Sequence, residues 1–394
     1  MTMDVMQNKS FCPLWPSVLA EKWGKDAMLL HLWVQICLKF CIFAHKLKKH
    51  IATMKKLSLL LAMALAVLCA CGNKKVSPEA PRQEIRPARG FRTDIPLDSI
   101  RLSDPCILAD KATGMYYMTG TRGLLWKSRD LARWEGPYHV AMTDSDSWMG
   151  RRPEIWAAEL HQYAGKYYYF ATFTNNSIKI DTVAGNVIPR RASHVLVSDK
   201  PEGPYCPMTD ATYLPDHMPT LDGTFWVDTD GKPYMVYCGE WLQNQNGTME
   251  KIELKADLSG SIGEGRVLFR ASDSPWSRER INGQIVPNRV TDGPWLFRTG
   301  TGRLGMIWTS WIYDVYTQGV AYSESGTLDG PWVQEPEPIT PPNFGHGMLF
   351  QDLDGQWLMS VHSHRDVGHY VRIPHLFKVD LSGDKLVVGE RYIP

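Results

Sequence analysis

Cysteine is scarce where it would matter for a fold. Of the eight cysteines, only Cys106, Cys206 and Cys238 lie beyond residue 71. An odd number, two of them inside apolar runs, excludes a disulfide framework and reads as small buried hydrophobes. Excess charge is also missing: 43 Lys and Arg face 42 Asp and Glu, for a net charge of +1. No basic run occurs after residue 95, so no nucleic-acid partner is expected. Long uninterrupted apolar runs are confined to the first 68 residues.

That first part does not match the rest. Residues 1–53 contain an apolar run, Met28–Ala44, interrupted by His31 and Lys39. It reads either as a short imperfect membrane span or as sequence upstream of the true start. The second reading is preferred because Met54 begins a complete export signal. Lys55-Lys56 form its charged region, Leu57–Leu68 its apolar region, and Leu68-Cys69-Ala70-Cys71 has the form of a lipoprotein cleavage site. Lipid on Cys71 would hold the protein to the cell envelope; ordinary cleavage nearby would leave Cys71 a plain thiol. Residues 72–95 are polar and proline-containing, and read as a tether.

After residue 95 one phrase recurs. Residues 221–237 run from Asp222 through apolar Phe225-Trp226-Val227 to Asp230-Gly231 and a second apolar run, Tyr234–Tyr237. Asp-Gly between two apolar runs signals a hairpin, because glycine accepts the positive φ of the turn. Comparable phrases are headed by Asp104, Glu159, Asp292 and His346, with turns near Gly114, Gly165, Gly300–Gly302 and Gly355. The heads recur roughly every 50 to 70 residues. Between them, Glu135, Glu202 and Asp329 each open an acid-Gly-Pro-aromatic turn suited to an outer edge. Five repeats of about four strands predict an all-β fold over residues 96–394, a single five-bladed β-propeller.

Propeller symmetry would gather the heads at the axis, and with them Asp104, Asp222 and Asp292. Clustered carboxylates raise one another's pKa and separate into charged and protonated forms near neutrality. Inverting glycoside hydrolysis needs this: one carboxylate activates water while a second, protonated, gives its proton to the leaving oxygen.

The ordered motifs resemble glycoside hydrolase family 43, the five-bladed arabinanases, arabinofuranosidases and xylosidases. Leu102-Ser103-Asp104-Pro105 with Tyr116-Tyr117 is similar to the family's opening, which implies Asp104 as general base. Trp156-Ala157-Ala158-Glu159 with Gly165-Lys166-Tyr167-Tyr168 resembles its second-blade signature, with Ala158 where proline is usual. Asp222 falls where the family keeps an Asp that tunes and orients the acid. Phe344-Gly345-His346-Gly347 resembles the last-blade histidine, which implies substrate contact and a structural calcium ion or water at the axis. The sequence itself shows no cluster of oxygen ligands for calcium.

One motif departs from the pattern. Thr291-Asp292-Gly293-Pro294 stands where the family's general acid is a Glu before Gly-Pro, and Asp is one methylene shorter. Three readings follow: Asp292 is the acid; another carboxyl, with Glu240 the first substitute, supplies the proton; or the protein binds glycans without cleaving them. Trp126, Trp156, Trp241, Trp308 and Trp311 are candidates for a sugar platform, Trp156 and Trp241 foremost, though most tryptophans in such a fold pack between blades. The resemblance implies an inverting hydrolase needing no cofactor, with a terminal α-L-arabinofuranosyl unit as first substrate and β-xylosyl as second.

Overall fold

The computed structural model describes residues 84–183, 185–281, 283–364 and 371–394. The export signal over 54–71 with its Cys71, the apolar run before it and most of the tether lie outside these residues.

Five sheets, all but one of them wholly antiparallel, form five blades. Blade I comprises β1 (Arg86–Pro96), β2 (Cys106–Asp110), β3 (Met115–Thr119), β4 (Leu124–Ser128) and β5 (Arg133–His139) in the order β1-β5-β4-β3-β2. Blade II runs β6 (Glu154–Tyr163), β7 (Lys166–Val183), β8 (Asn186–Ser198), β9 (Cys206–Pro207). Blade III runs β10 (Thr220–Val227), β11 (Pro233–Gly239), β12 (Thr248–Leu254), β13 (Ser261–Arg270). A single helical turn, α1 (Trp241–Asn244), joins β11 to β12. Blade IV adds a hairpin, β14 (Arg278–Ile281) and β15 (Gln284–Val286), to β16 (Asp292–Arg298), β17 (Leu304–Tyr313), β18 (Val315–Ser323) and β19 (Trp332–Gln334). Blade V is β20 (Phe344–Gln351), β21 (Trp357–His364), β22 (Arg372–Asp380), β23 (Val387–Tyr392). The expected tether over 72–95 therefore ends early, because Arg86–Pro96 is recruited as the outer strand of blade I.

The strands β2, β6, β10, β16 and β20 touch their neighbours in a ring around the axis. Every blade is cut from one continuous stretch of chain, so the ring closes through individual bonds between blades rather than by a shared sheet. Ser360 Oγ donates to the Pro105 carbonyl at 2.6 Å, the Leu102 N–H to the Arg372 carbonyl at 3.1 Å, and the Leu353 N–H to Tyr116 Oη at 3.1 Å.

Alternation explains the apolar runs. Adjacent side chains of a strand point to opposite faces, and here both faces are seams between blades. Tyr117 packs against blade II beside Leu160 and Tyr169, while its neighbour Met118 packs against blade V beside Leu358 and Leu376. Met235 and Val236, Met306 and Ile307 divide in the same way between flanking seams. Trp126 and Trp308 are core residues, and Cys106 and Cys238 are buried thiols.

The turns follow the predicted chemistry. Ala164 and Gly165 both have positive φ, as a two-residue hairpin requires. The bonds Gly136–Pro137, Gly203–Pro204 and Gly330–Pro331, in the three outer acid-Gly-Pro turns, are cis.

A feature the sequence did not announce repeats at the start of every inner strand. Asp104, Ala157, Asp222, Gly293 and His346 all take left-handed φ, between 42° and 58°. In blades II to V the ladder register shifts at this point, the mark of a bulge. The preceding blade supplies the acceptors. Asp222 and Gly223 donate their N–H groups to Thr172 Oγ1 (2.8 Å) and Ser193 Oγ (2.9 Å), which face each other across β7 and β8. His346 and Gly347 donate to Thr309 Oγ1 (2.8 Å) and Gln318 Oε1 (2.9 Å), which face each other across β17 and β18. A Cβ on Gly223 would stand 2.7 Å from that of Ser193, so glycine is required there. Thr172→Val keeps the shape but strands the buried Asp222 N–H. It should lower stability by about 1–3 kcal/mol, read by urea denaturation; an unchanged midpoint would show that the bulge is held otherwise.

Candidate active site

The bulges aim three carboxyls and one imidazole at the axis. Asp104 and Asp222 are each 5% exposed and His346 is 3% exposed. Asp292 lies one residue before the left-handed position of its blade, which Gly293 takes. The residue as a whole is half-buried. A side chain at position 293 would collide with the His346 ring, its Cβ 2.6 Å from Cδ2, so the glycine lets blades IV and V close together.

Asp104 sits in a cradle for an anion. Thr121 Oγ1 donates to Oδ2 at 2.5 Å, His346 Nδ1 stands 3.2 Å from Oδ1, and Arg372 Nη1 is 3.8 Å from the same oxygen. The Asp104 N–H donates to His362 Nδ1 at 3.0 Å. The same ring nitrogen stands 3.4 Å from Oδ1. Burial alone would raise the Asp104 pKa, but the histidine face, above all His346, with Arg372 and the Thr121 hydroxyl outweighs it and brings the value down to about 2.

The other two carboxyls behave oppositely. Asp222 Oδ2 accepts the Gly293 N–H at 3.1 Å, and Asp292 Oδ2 accepts the Tyr316 hydroxyl at 3.0 Å. Burial pushes both up. Asp222, raised further by Asp292 and Asp104, reaches about 8, and Asp292, raised further by Asp104, reaches about 6. The proton they hold near neutrality belongs to the pair. Burial pulls the His346 pKa down, yet the carboxylates Asp104, Asp222 and Asp292 win and raise it.

His346 Nε2 faces the interior without a protein partner. Calcium takes six to eight oxygens, and among the described residues no three His, Cys, Asp or Glu converge to hold a metal. The residues present suit an ordered water here better than a directly caged calcium ion.

Glu240 is drawn elsewhere. Its Oε1 receives Arg191 Nη1 at 2.5 Å; Arg191 also bonds Thr174 Oγ1 at 2.9 Å and lies 4.0 Å beneath the Trp156 ring. Burial raises the Glu240 pKa against the pull of Arg191. The arrangement braces Trp156 from behind and leaves that indole half-buried. Trp241 and Trp311 are also half-buried. Glu159 is 1% exposed and bonded to His161 Nε2 at 2.7 Å.

Sequence reasoning missed Thr121, Tyr316, His362 and Arg372. Tyr316 stacks on His362 with centroids 5.6 Å apart and lies 5.7 Å from the Arg372 guanidinium, forming one wall. His362 is fully buried, and its strand, Trp357–His364, mixes Ser360, Ser363 and His364 with apolar residues, so nothing in the sequence singled it out.

The arrangement fixes one ionised and one protonated carboxyl function at a common axis. The competent form, Asp104 ionised and the pair holding a proton, exists above about 2 and is lost as the pair deprotonates between about 6 and 8. Turnover should therefore fall on the alkaline side in that window and show no acidic limb in the ordinary carboxylate range. Asp222→Asn removes a negative neighbour, so the alkaline limb of a kcat/KM profile should move to lower pH.

Residues 93–384 match the family model described as Glycosyl hydrolases family 43. An endo-arabinase from Bacteroides thetaiotaomicron is 34% identical, with a TM-score of 0.65, covering 75% of this chain and 99% of that one. An extracellular endo-α-(1→5)-L-arabinanase of Thermotoga petrophila is 30% identical over 172 residues, 35% of this chain. The match spans about a third of that relative's length, 34%. A thermostable family-43 glycoside hydrolase, 21% identical with a TM-score of 0.61 over 77% of this chain and 98% of its own, shares the fold. With a matched segment running through all five blades and their axial carboxyls, this chain belongs to glycosyl hydrolases family 43.

Proposed function

We propose that this glycoside hydrolase cleaves α-L-arabinofuranosyl linkages within an arabinan chain, with inversion. The observation that carries the chemistry is the split at the axis, an anion cradle around Asp104 opposite the proton-holding pair Asp222–Asp292. The choice of arabinan is supported by the names of two relatives, the endo-arabinase and the endo-arabinanase, each at least 30% identical in the aligned region. Internal linkages thus replace the terminal unit expected from the family's range as first choice.

Asp104 accepts the proton of the attacking water. A resting pKa of about 2 keeps it ionised throughout the working range. Water becomes acidic enough to yield its proton only as its oxygen bonds to the anomeric carbon of an oxocarbenium-like transition state. Asp292 gives its proton to the departing oxygen, and Asp222 keeps that proton available through their shared charge. His346 and Arg372 hold Asp104 in place by charge. Trp156, stiffened by Arg191, offers a flat apolar face to a sugar ring, with Trp241 as a second candidate surface. The steps use side chains alone, and no step passes through calcium.

Export with lipid on Cys71 is part of the same reading. It rests on the signal beginning at Met54 and accords with the Thermotoga relative being described as extracellular.

Incubation with linear α-1,5-arabinan, followed by proton NMR, tests the reading. The first sugar released should carry the anomeric configuration opposite to that of the cleaved bond, and Asp104→Ala should reduce turnover by at least a thousandfold with the fold intact. Retention of configuration, or survival of activity in Asp104→Ala, would contradict it. Saturable arabinan binding with no turnover would instead mark a glycan-binding propeller.

A further inference from the structure

Asp292 is one methylene shorter than the glutamate usual at its place, and an oxygen beyond its reach needs a longer acid. Blade IV carries a second carboxyl on the same edge. The inner edge of β17 pairs with β16 as far as Asp292, opposite Thr309. Beyond it, β14 takes over that edge in parallel, with Arg278 opposite Ile312 and Glu279 opposite Tyr313. Glu279 thus follows Asp292 along the channel side of blade IV, about 13 Å of strand further on at four residues of strand rise.

Glu279 also lacks the commitments that occupy Glu240. Its residue is half-buried, and its Oε2 is shut off from solvent without a hydrogen-bond partner. No ion pair holds it among the described residues, although arginines flank it at 278 and 280. Arg280 is instead paired with Asp314 at 3.5 Å. A buried carboxyl oxygen with no donor is costly as an anion and suits the protonated acid.

We propose that Glu279 is a second proton donor of the site, serving a leaving oxygen that lies beyond the reach of the shorter Asp292. The inference rests on the hydrolase reading above. Burial, and then the charge of Asp292, raise the Glu279 pKa to about 7, where a general acid at neutral pH belongs. Where Glu279 takes this role in place of Asp292, its single proton moves to the glycosidic oxygen as its bond to the anomeric carbon breaks, and that oxygen keeps the bonding electrons. The attacking water bonds to the carbon and loses its proton to Asp104. Once the product leaves, the Glu279 carboxylate regains a proton from solvent and Asp104 returns to solvent the one it took.

The test compares the full-length wild type, Glu279→Gln, Glu279→Asp and Asp104→Ala on aryl α-L-arabinofuranosides of increasing leaving-group pKa and on linear arabinan. Glu279→Gln should lose at least tenfold in kcat on arabinan and on poor leaving groups, and less than twofold on the most activated aryl glycoside. Glu279→Asp, which keeps the acid and shortens its arm, should fall between and reads the effect even if the Gln variant folds poorly. An unchanged dependence on leaving group in both Glu279 variants, with Asp104→Ala inactive, overturns the role of Glu279 alone. Activity surviving in Asp104→Ala overturns the hydrolase assignment beneath it.

Discussion

Everything at the axis depends on one electrostatic difficulty. Three carboxyls and an imidazole share a space nearly closed to water, where unpaired charge is expensive. The structure divides them. Asp104 is surrounded by His346, Arg372 and the Thr121 hydroxyl and stays ionised. Asp222 and Asp292 receive one neutral donor each, the Gly293 N–H and the Tyr316 hydroxyl, and keep a proton between them. The charge separation that glycoside hydrolysis needs is thus also the arrangement that makes the cluster tolerable inside a fold.

The backbone that carries these groups is unusual in a regular way. Left-handed residues outside glycine are disfavoured, yet four of the five inner strands place one at the axis. The conformation turns the side chain out of the alternation that would bury it in a seam and points it at the channel. Its N–H then loses its ladder partner, and the Thr–Ser pair of blade II or the Thr–Gln pair of blade IV takes over. Function and fold meet in these three buried hydroxyls and one amide.

Much of the architecture was legible because a propeller strand is buried on both faces. Runs such as Tyr167–Phe170 and Tyr234–Tyr237 announce themselves, and the glycines at 114, 165, 231 and 355 mark the turns between them. Asp104, Asp222 and His346 were found from their place at the heads of those runs. The register of blade IV was not: Asp292 looked like a head, and the left-handed position belongs to Gly293. The supporting groups were illegible for a different reason. Thr121, Tyr316, His362 and Arg372 come from second and third strands or from loops, and only closure of the ring between blades V and I brings the last two beside Asp104. Glu279 was hidden in a hairpin that lies outside the repeat. Arg86–Pro96 was misread as tether because an outer strand with one exposed face carries little apolar pattern.

The account stands or falls on the unequal ionisation of the three axial aspartates. The direct measurement is a carbon-13 NMR titration of side-chain-labelled aspartate in the folded protein, assigned by Asp104→Asn, Asp222→Asn and Asp292→Asn. The account predicts one axial carboxyl that remains ionised to about pH 2 and two coupled ones that titrate between about 6 and 8. Three axial aspartates titrating together near the ordinary value of about 4 would contradict it.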